Sequence, residues 1–480
     1  MKKIFIILLT IGISISCNTD LDINSDPDSP LDVPLRSQLP AGIAGLIAVE
    51  GSSYALIGGF WSQYWSQNTS SNQYRDVDSY IIGAGDYYNA WRDMYDALGD
   101  IREVKRKALA QSNWNYYLIA TVLEAQGSQL LTDAYGDVPF TEANNKNILQ
   151  PKYENSISIY DKLITNINDA LSKDLTTSVG EIPGNDDLIF GGDTNKWTAY
   201  ANTLKLKIFL RQIYSSRSAL ATTGITNLLS SGVSFLTEDA GMTQFTDAPN
   251  LSNPLYESDK RNLNFTRNLK KSSTMSIFLS TNSDTRTTKY YGTGNALRQG
   301  DFGNAAVTEA SLANVTLDAT TPSYLMTKEE SLFILAEAYA RVGNLSDAKT
   351  NYDNAVLHNF SRYTLVGSSF VASGGSYEFP TSGTFNDQLK KIIEQKWVSN
   401  FPGNGFESFL ETKRTKYPAE DIILTNNPAY ISGTLAYSIA GATGGIFPKR
   451  LVYPQEETNT NSNTPLASNN KITKPQWWHK

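Results

Sequence analysis

Cys17 is the single thiol in the 480 residues, so neither an internal disulfide nor a cysteine-based zinc site can form. What precedes it gives that thiol a chemistry. Lys2 and Lys3 are followed by an apolar run from Ile4 to Ile15. At about 1.5 Å rise per residue, this run is too short for a hydrocarbon core of roughly 30 Å. A basic start, a short apolar stretch and a small residue before the cut together make a secretory signal. Cleavage between Ser16 and Cys17 leaves cysteine first in the mature chain, the arrangement of a lipoprotein whose acyl chains enter a membrane. An ordinary signal peptide ending near a cysteine is the competing reading, and position 14 is Ser where such signals usually carry Leu. Lipidation is preferred because Cys17 has no companion and because residues 18–36, rich in Asp, Asn, Ser and Pro, read as an extended tether.

A second chemistry is carried by aromatic rings set among amides and guanidinium groups. A sugar presents a flat C–H face that a ring can cover, and its hydroxyls meet polar groups at the edges. Tyrosine supplies both, and the chain holds 26 of them with 19 Phe and 8 Trp. The segment SSNQYRDVDSY offers Asn72, Tyr74, Arg75 and Tyr80 as ligand-binding candidates. Tyr256 with Asp259 and Arg261 forms a second cluster, and KYYGTGNALRQG a third with Tyr290, Tyr291 and Arg298. Trp61 and Trp65, four apart, fall on one face of a helix, where core packing competes with a binding platform. For every one of these aromatics ordinary packing is the plainer alternative.

Catalytic chemistry has less material. The chain has two histidines, His358 and His479, too few for a histidine-rich metal site or a Ser-His-Asp relay. No phosphate loop, HExxH or calcium-loop spacing appears, and no cofactor or metal is expected. Asp133 with Asp137 and Asp186 with Asp187 are the pairs a glycoside hydrolase could use, although turns and caps explain them more simply. The net charge of -7 argues against a nucleic-acid partner, which needs clustered Lys and Arg.

These residues need elements to hold them. The composition, 40% hydrophobic and 19% charged, supports a substantial core. Helical periodicity recurs over 39–67, 91–111, 114–133, 157–172, 196–215, 328–342, 346–359, 384–399 and 405–415. It fails over 176–195 and 232–322, where Gly, Asn, Ser, Thr and Asp dominate. Long irregular stretches in a compact domain are often functional. No segment after the signal reads as apolar for long enough to span a bilayer. The chain therefore divides into a signal (1–16), an acylated cysteine and tether (17–36) and one domain (37–480). The hairpin near 328–360 follows the tetratricopeptide spacing: Leu335, Tyr339 and Gly343, then Ala348, Tyr352 and Ala355. Within it Glu337 and Arg341 are placed to pair along the helix surface.

Several segments in order carry a family resemblance: DLDINSDPDSP after the cysteine, FWSQYWSQ at 60–67, QLLTDAYGDVPFTEA at 129–143, WTAYANTLKLKIFLR at 197–211, NPLY at 253–256, the tetratricopeptide hairpin, 392–418, and PKRLVYPQEE at 448–457. Together they resemble the SusD/RagB-like outer-membrane lipoproteins, in the SusD-like starch-binding branch. The resemblance implies a mainly α fold, a right-handed α-α superhelix of tetratricopeptide-like helix pairs with irregular loops on the ligand face. It implies a non-enzymatic, surface-exposed lipoprotein of a Bacteroidota-type cell, touching the membrane through its lipid anchor alone. Such a protein binds a nutrient, usually a glycan, and hands it to a SusC-like TonB-dependent barrel. Asp20 and Asp22 fit the acidic residues associated with surface export in that family. The alternatives are a tetratricopeptide adaptor for peptide or protein cargo, and a carboxylate glycoside hydrolase.

Overall fold

The computed structural model describes residues 33–466 and 470–480; the signal, Cys17 and most of the tether lie outside the described residues. The first helix runs from Leu35 to Trp61, with a π-helical turn at Glu50–Tyr54. It begins inside the segment assigned to the tether, because Leu35, Leu39, Ile43 and Ile47 all reach the core. By length and composition this helix could cross a membrane, where the sequence reading finds no such segment. Most of it is buried within the fold, so its apolar character is that of a core helix. The helix also ends earlier than its periodicity implies. Trp65–Gln67 is a strand, so Trp61 and Trp65 do not share a helical face.

The following helices are set by local rules and joined by packing. Tyr88–Ala110 lies against the first helix and against Trp114–Tyr135. Asn113, Asn155, Asp193 and Asn344 each turn a side-chain oxygen onto a free backbone N–H at the start of a helix. Thr384 and Asp387 do so reciprocally at the head of Phe385–Ser399. In the tetratricopeptide-like hairpin, Lys328–Arg341 and Leu345–Arg362 pack along their length. Gly343 turns between them at φ +79°, a value that L side chains rarely adopt. Ala336, Ala348, Tyr352 and Ala355 are fully buried at the contact. Ser218–Ser230 is a helix that the periodicity did not pick out, its Ser, Thr and Gly diluting the apolar stripe of Ala221, Ile225 and Leu228.

The core crossing lies where the first helix meets Gly405–Thr415. A Cβ on Gly58 would stand 2.0 Å from the Phe406 nitrogen, and one on Gly405 2.6 Å from the Gly59 nitrogen. Only glycines allow that approach. Around it runs a buried ionic network. Arg211 binds Asp133 at 3.0 Å, Glu407 at 2.7 Å and Glu411 at 2.7 Å. Lys207 lies 3.0 Å from Glu330 and 3.1 Å from Glu407, and Lys396 3.0 Å from Glu407. Arg414 holds Glu337 at 2.6 Å. Glu337 also pairs with Arg341 at 2.7 Å, but it is buried, so that pair belongs to the interior and not to an exposed face. Trp478 is fully buried with the Arg211 guanidinium 5.1 Å from its ring, and Trp477 meets Tyr160 edge-on, docking the C-terminus.

Candidate functional site

The loops that the sequence reading treats as three separate clusters converge on one face. The strand Trp65–Gln67 pairs antiparallel with Leu269–Lys271, which sets the chain after Gln67 beside the chain before Leu269. Asn68 then closes the contact: its backbone N–H donates to the Asn268 carbonyl at 2.8 Å, and its amide donates to the Arg267 carbonyl at 2.9 Å and to Glu309 at 2.8 Å. Asp78 ties in the third segment. It accepts the backbone N–H groups of Gln67 at 2.9 Å and Gly300 at 3.1 Å, and the Gln299 amide. Burial pushes the Asp78 carboxyl up to about 7, against the pull of those hydrogen bonds.

The candidates divide sharply by burial. Trp61, Trp65, Tyr74, Tyr80, Tyr290 and Tyr291 are all enclosed. Tyr290 stacks on Phe401 with centroids 4.2 Å apart, and its hydroxyl donates to the Val398 carbonyl at 3.0 Å. The Tyr291 hydroxyl donates to the Tyr64 carbonyl at 2.7 Å. Trp65 meets Phe60, Tyr64 and Phe401, Trp61 meets Phe409, and Tyr80 meets Tyr437 and Phe447. Their faces are covered by other rings, so in this structure they build the wall behind the loops and leave no surface for a ligand. Asn72 is exposed, and Arg75 is half-buried with its guanidinium 5.0 Å from the Phe302 ring. Arg298 is half-buried and held by Asp301 at 2.8 Å. Of the aromatic candidates, Tyr256 alone keeps access to solvent.

Tyr256 borders an open groove of about 370 Å³ shared with Lys260, Phe265, Arg267, Asn314 and Thr316. Phe265 is 58% exposed, and both it and Asn264 have positive φ, 58° and 51°. Left-handed backbone at two successive non-glycine residues is strained, and such strain concentrates where a loop performs a task. Arg261 lies 5.5 Å from the Tyr256 ring and 6.0 Å from that of Phe265, while ion pairs to Glu257 and Asp247 occupy its charge. Arg267 has no ion pair among the described residues, which leaves its guanidinium N–H groups for a ligand. Lys270 fixes Asn314 by donating to its Oδ1 at 2.8 Å, so the Asn314 amide N–H groups are oriented as donors. Two rings with hydrogen-bonding groups at their edges can cover a sugar face and bind its hydroxyls. The sequence reading missed Phe265, Arg267 and Asn314. A lone Phe in the polar run RNLNFTRN is the signal that could have found the first.

The carboxylate pairs are structural. Asp133 is 1% exposed and bound by Arg211 and Tyr160. Burial is the largest influence on it and lifts its carboxyl to about 6, with Arg211 opposing. Asp137 accepts from Ser156. Asp186 accepts from Tyr116 and Gly184. Asp187 accepts from three backbone N–H groups and the Trp197 indole. His358 lies 3.3 Å from Glu329. Among the described residues no group of three His, Cys, Asp or Glu side chains is placed to hold a metal ion.

A family model described as starch-binding and associating with the outer membrane matches residues 42–454. No curated protein matches the sequence. Among solved structures, a chitin-binding SusD homologue from Flavobacterium johnsoniae is similar with a TM-score of 0.73 at 17% identity, covering 92% of this chain and 98% of its own. A SusD homologue from Bacteroides uniformis gives a TM-score of 0.71 at 19% identity over 92% of this chain and 99% of its own. Another from Bacteroides fragilis gives 0.71 at 19% identity over 94% and 100%. At these identities the likeness establishes the mainly helical fold.

Proposed function

We propose that this chain, which belongs to the SusD-like family of starch-binding proteins that associate with the outer membrane, captures a glycan on the Tyr256–Phe265 groove and delivers it to a SusC-like TonB-dependent barrel. The family is one of carbohydrate-binding proteins and not of enzymes, and the carboxylates that could have argued for hydrolysis are committed to caps and ion pairs. The observation that carries the reading is the exposed Phe265 ring beside Tyr256. Exposure alone is ordinary for a surface residue; what supports the reading is that the exposed ring and the half-buried Tyr256 ring line one groove with polar groups at its edges. In this reading the acylated Cys17 tethers the protein to the outer membrane with the groove turned to the cell exterior, and the segment between Cys17 and the helix that starts at Leu35 supplies the reach to the barrel.

The ligand class follows from the groove and from the description of the family: a polysaccharide or oligosaccharide, with starch and chitin as the first to test. Native affinity electrophoresis through gels holding amylopectin, glycol chitin and other polysaccharides tests it. Retardation on at least one gel is expected, and unretarded migration on every gel would reject the reading. A pull-down with the barrel tests the delivery step.

A further inference from the structure

Next to the open groove, and joined to it through Thr316 and Leu317, lies a deeper cleft of about 460 Å³. Its walls include Tyr324, Arg362, Tyr363, Ser399, Asn400 and Gly403. Its volume falls in the roughly 300–1,000 Å³ range of small-ligand sites, and it is more enclosed than the neighbouring groove.

The polar groups of this cleft are incompletely used. Asn400 is 2% exposed and its Oδ1 has no hydrogen-bond partner, although its amide N–H donates to Ser408 at 3.0 Å. Ser399 is 5% exposed and its Oγ is also unpartnered. Buried polar atoms without partners are rare and costly in a folded chain. Both oxygens are buried in residues that line the cleft. The Tyr324 hydroxyl accepts from Arg362 at 2.8 Å, and its own proton has no acceptor among the described residues.

Of the charges in the cleft, Arg362 and Asp318 are matched, while Lys289 in its lining is exposed and has no ion pair among the described residues. Arg362 binds Glu329 at 2.6 Å and Asp239 at 2.7 Å. Burial opposes ionisation of Glu329, but His358 and Arg362 outweigh it and hold the carboxyl down at about 2. Asp318 is taken up by the Thr320 backbone N–H and hydroxyl. The cleft therefore offers unsatisfied hydrogen-bonding oxygens together with one unpaired cation, Lys289. Gly403 adds a second observation: a Cβ there would meet nothing within 4 Å, so the space beside it is open.

We infer that this cleft is an end-on subsite that seats the terminal sugar unit of the chain whose inner units lie on the Tyr256–Phe265 groove. The inference rests on the glycan reading and adds to it that the protein selects chain ends. Terminal hydroxyls would meet Asn400 Oδ1, Ser399 Oγ and the Tyr324 hydroxyl, with the rings of Tyr324 and Tyr363 alongside.

Calorimetric titration of the mature chain with maltohexaose and with chitohexaose provides the test. For whichever hexaose binds, Gly403→Leu is expected to weaken affinity at least tenfold with an unchanged melting temperature. Affinity within twofold of wild type would overturn the subsite while leaving the groove reading intact. If wild type binds neither hexaose, an oligosaccharide of whichever polysaccharide retards it on the gels takes their place, and if no polysaccharide retards it, the glycan reading fails and the subsite with it. Should Gly403→Leu fail to fold, a crystal of the wild-type chain soaked with the bound hexaose decides. A terminal ring against Asn400 and Tyr324 supports the subsite, and a bound chain that leaves the cleft empty refutes it.

Discussion

Asp78 and Gly300 are joined by a 3.1 Å hydrogen bond between a side-chain carboxylate and a backbone N–H far apart in the chain. With its partner bond to Gln67, this contact ties the loop after the Trp65–Gln67 strand to the segment that ends at Gly300, behind the candidate groove. Asp78→Ala would leave both buried N–H groups unsatisfied, at about 1–3 kcal/mol each. A drop of roughly 2–6 kcal/mol in unfolding free energy is expected, read from urea denaturation, together with weaker glycan binding. An unchanged midpoint would show that the loops hold without it.

Glu50 gives a pH dependence with a definite sign. Burial raises its carboxyl to about 8, against Lys207 and the Gln126 amide, which donates at 3.2 Å. A carboxyl raised on folding binds its proton more tightly in the native state. Its contribution is therefore favourable below the unfolded value of 4.5 and declines as pH rises from there towards 8. Glu50→Gln should flatten that decline and raise the melting temperature at pH 8 relative to wild type, with little difference at pH 4.5. Equal melting curves at pH 8 would contradict this.

The ionic network predicts an asymmetric mutational response. Arg211→Ala leaves buried Asp133 without its ion-pair partner and takes one cation from Glu407 and from Glu411, and breaking a buried pair on one side costs about 3–5 kcal/mol. Scanning calorimetry should show a large loss of stability, whereas Arg92→Ala, whose pair with Asp93 is exposed, should change stability by less than about 1 kcal/mol.

In the proposed reading, anchoring depends on the Cys17 thiol. Cys17→Ala is expected to abolish incorporation of labelled palmitate and to release the chain from the membrane fraction. Continued membrane attachment without an acyl chain would remove lipidation from the account.

How much of this could be read beforehand depended on the range of the interactions involved. The tetratricopeptide-like hairpin was legible because Ala336, Gly343, Ala348 and Tyr352 act through neighbours a few residues away. The burial of Tyr290 and Tyr291 was not, because it is decided by Phe401 and Tyr64 across the fold. Both tyrosines sit in a run whose glycines and polar residues read locally as exposed loop. The same holds for Asp133: nothing near it in sequence announces Arg211. Tyr256 is legible as a candidate, and Phe265 joins it through the local turn around Arg261, but Asn314 reaches the groove through its long-range bridge to Lys270. Local pattern located the loops, and long-range pairing decided which of their rings face water.

The most direct test of the account is calorimetric titration of the retained glycan into wild type, Tyr256→Ala, Phe265→Ala and, as a control in the buried wall, Tyr290→Phe. Phe265 is exposed and Tyr256 half-buried, so both alanine variants should fold with near-native melting temperatures. Each should lose about 1–2 kcal/mol of binding, roughly a tenfold drop in affinity, while Tyr290→Phe binds as wild type. Undiminished binding by both alanine variants would place the glycan elsewhere and contradict the assignment of the groove.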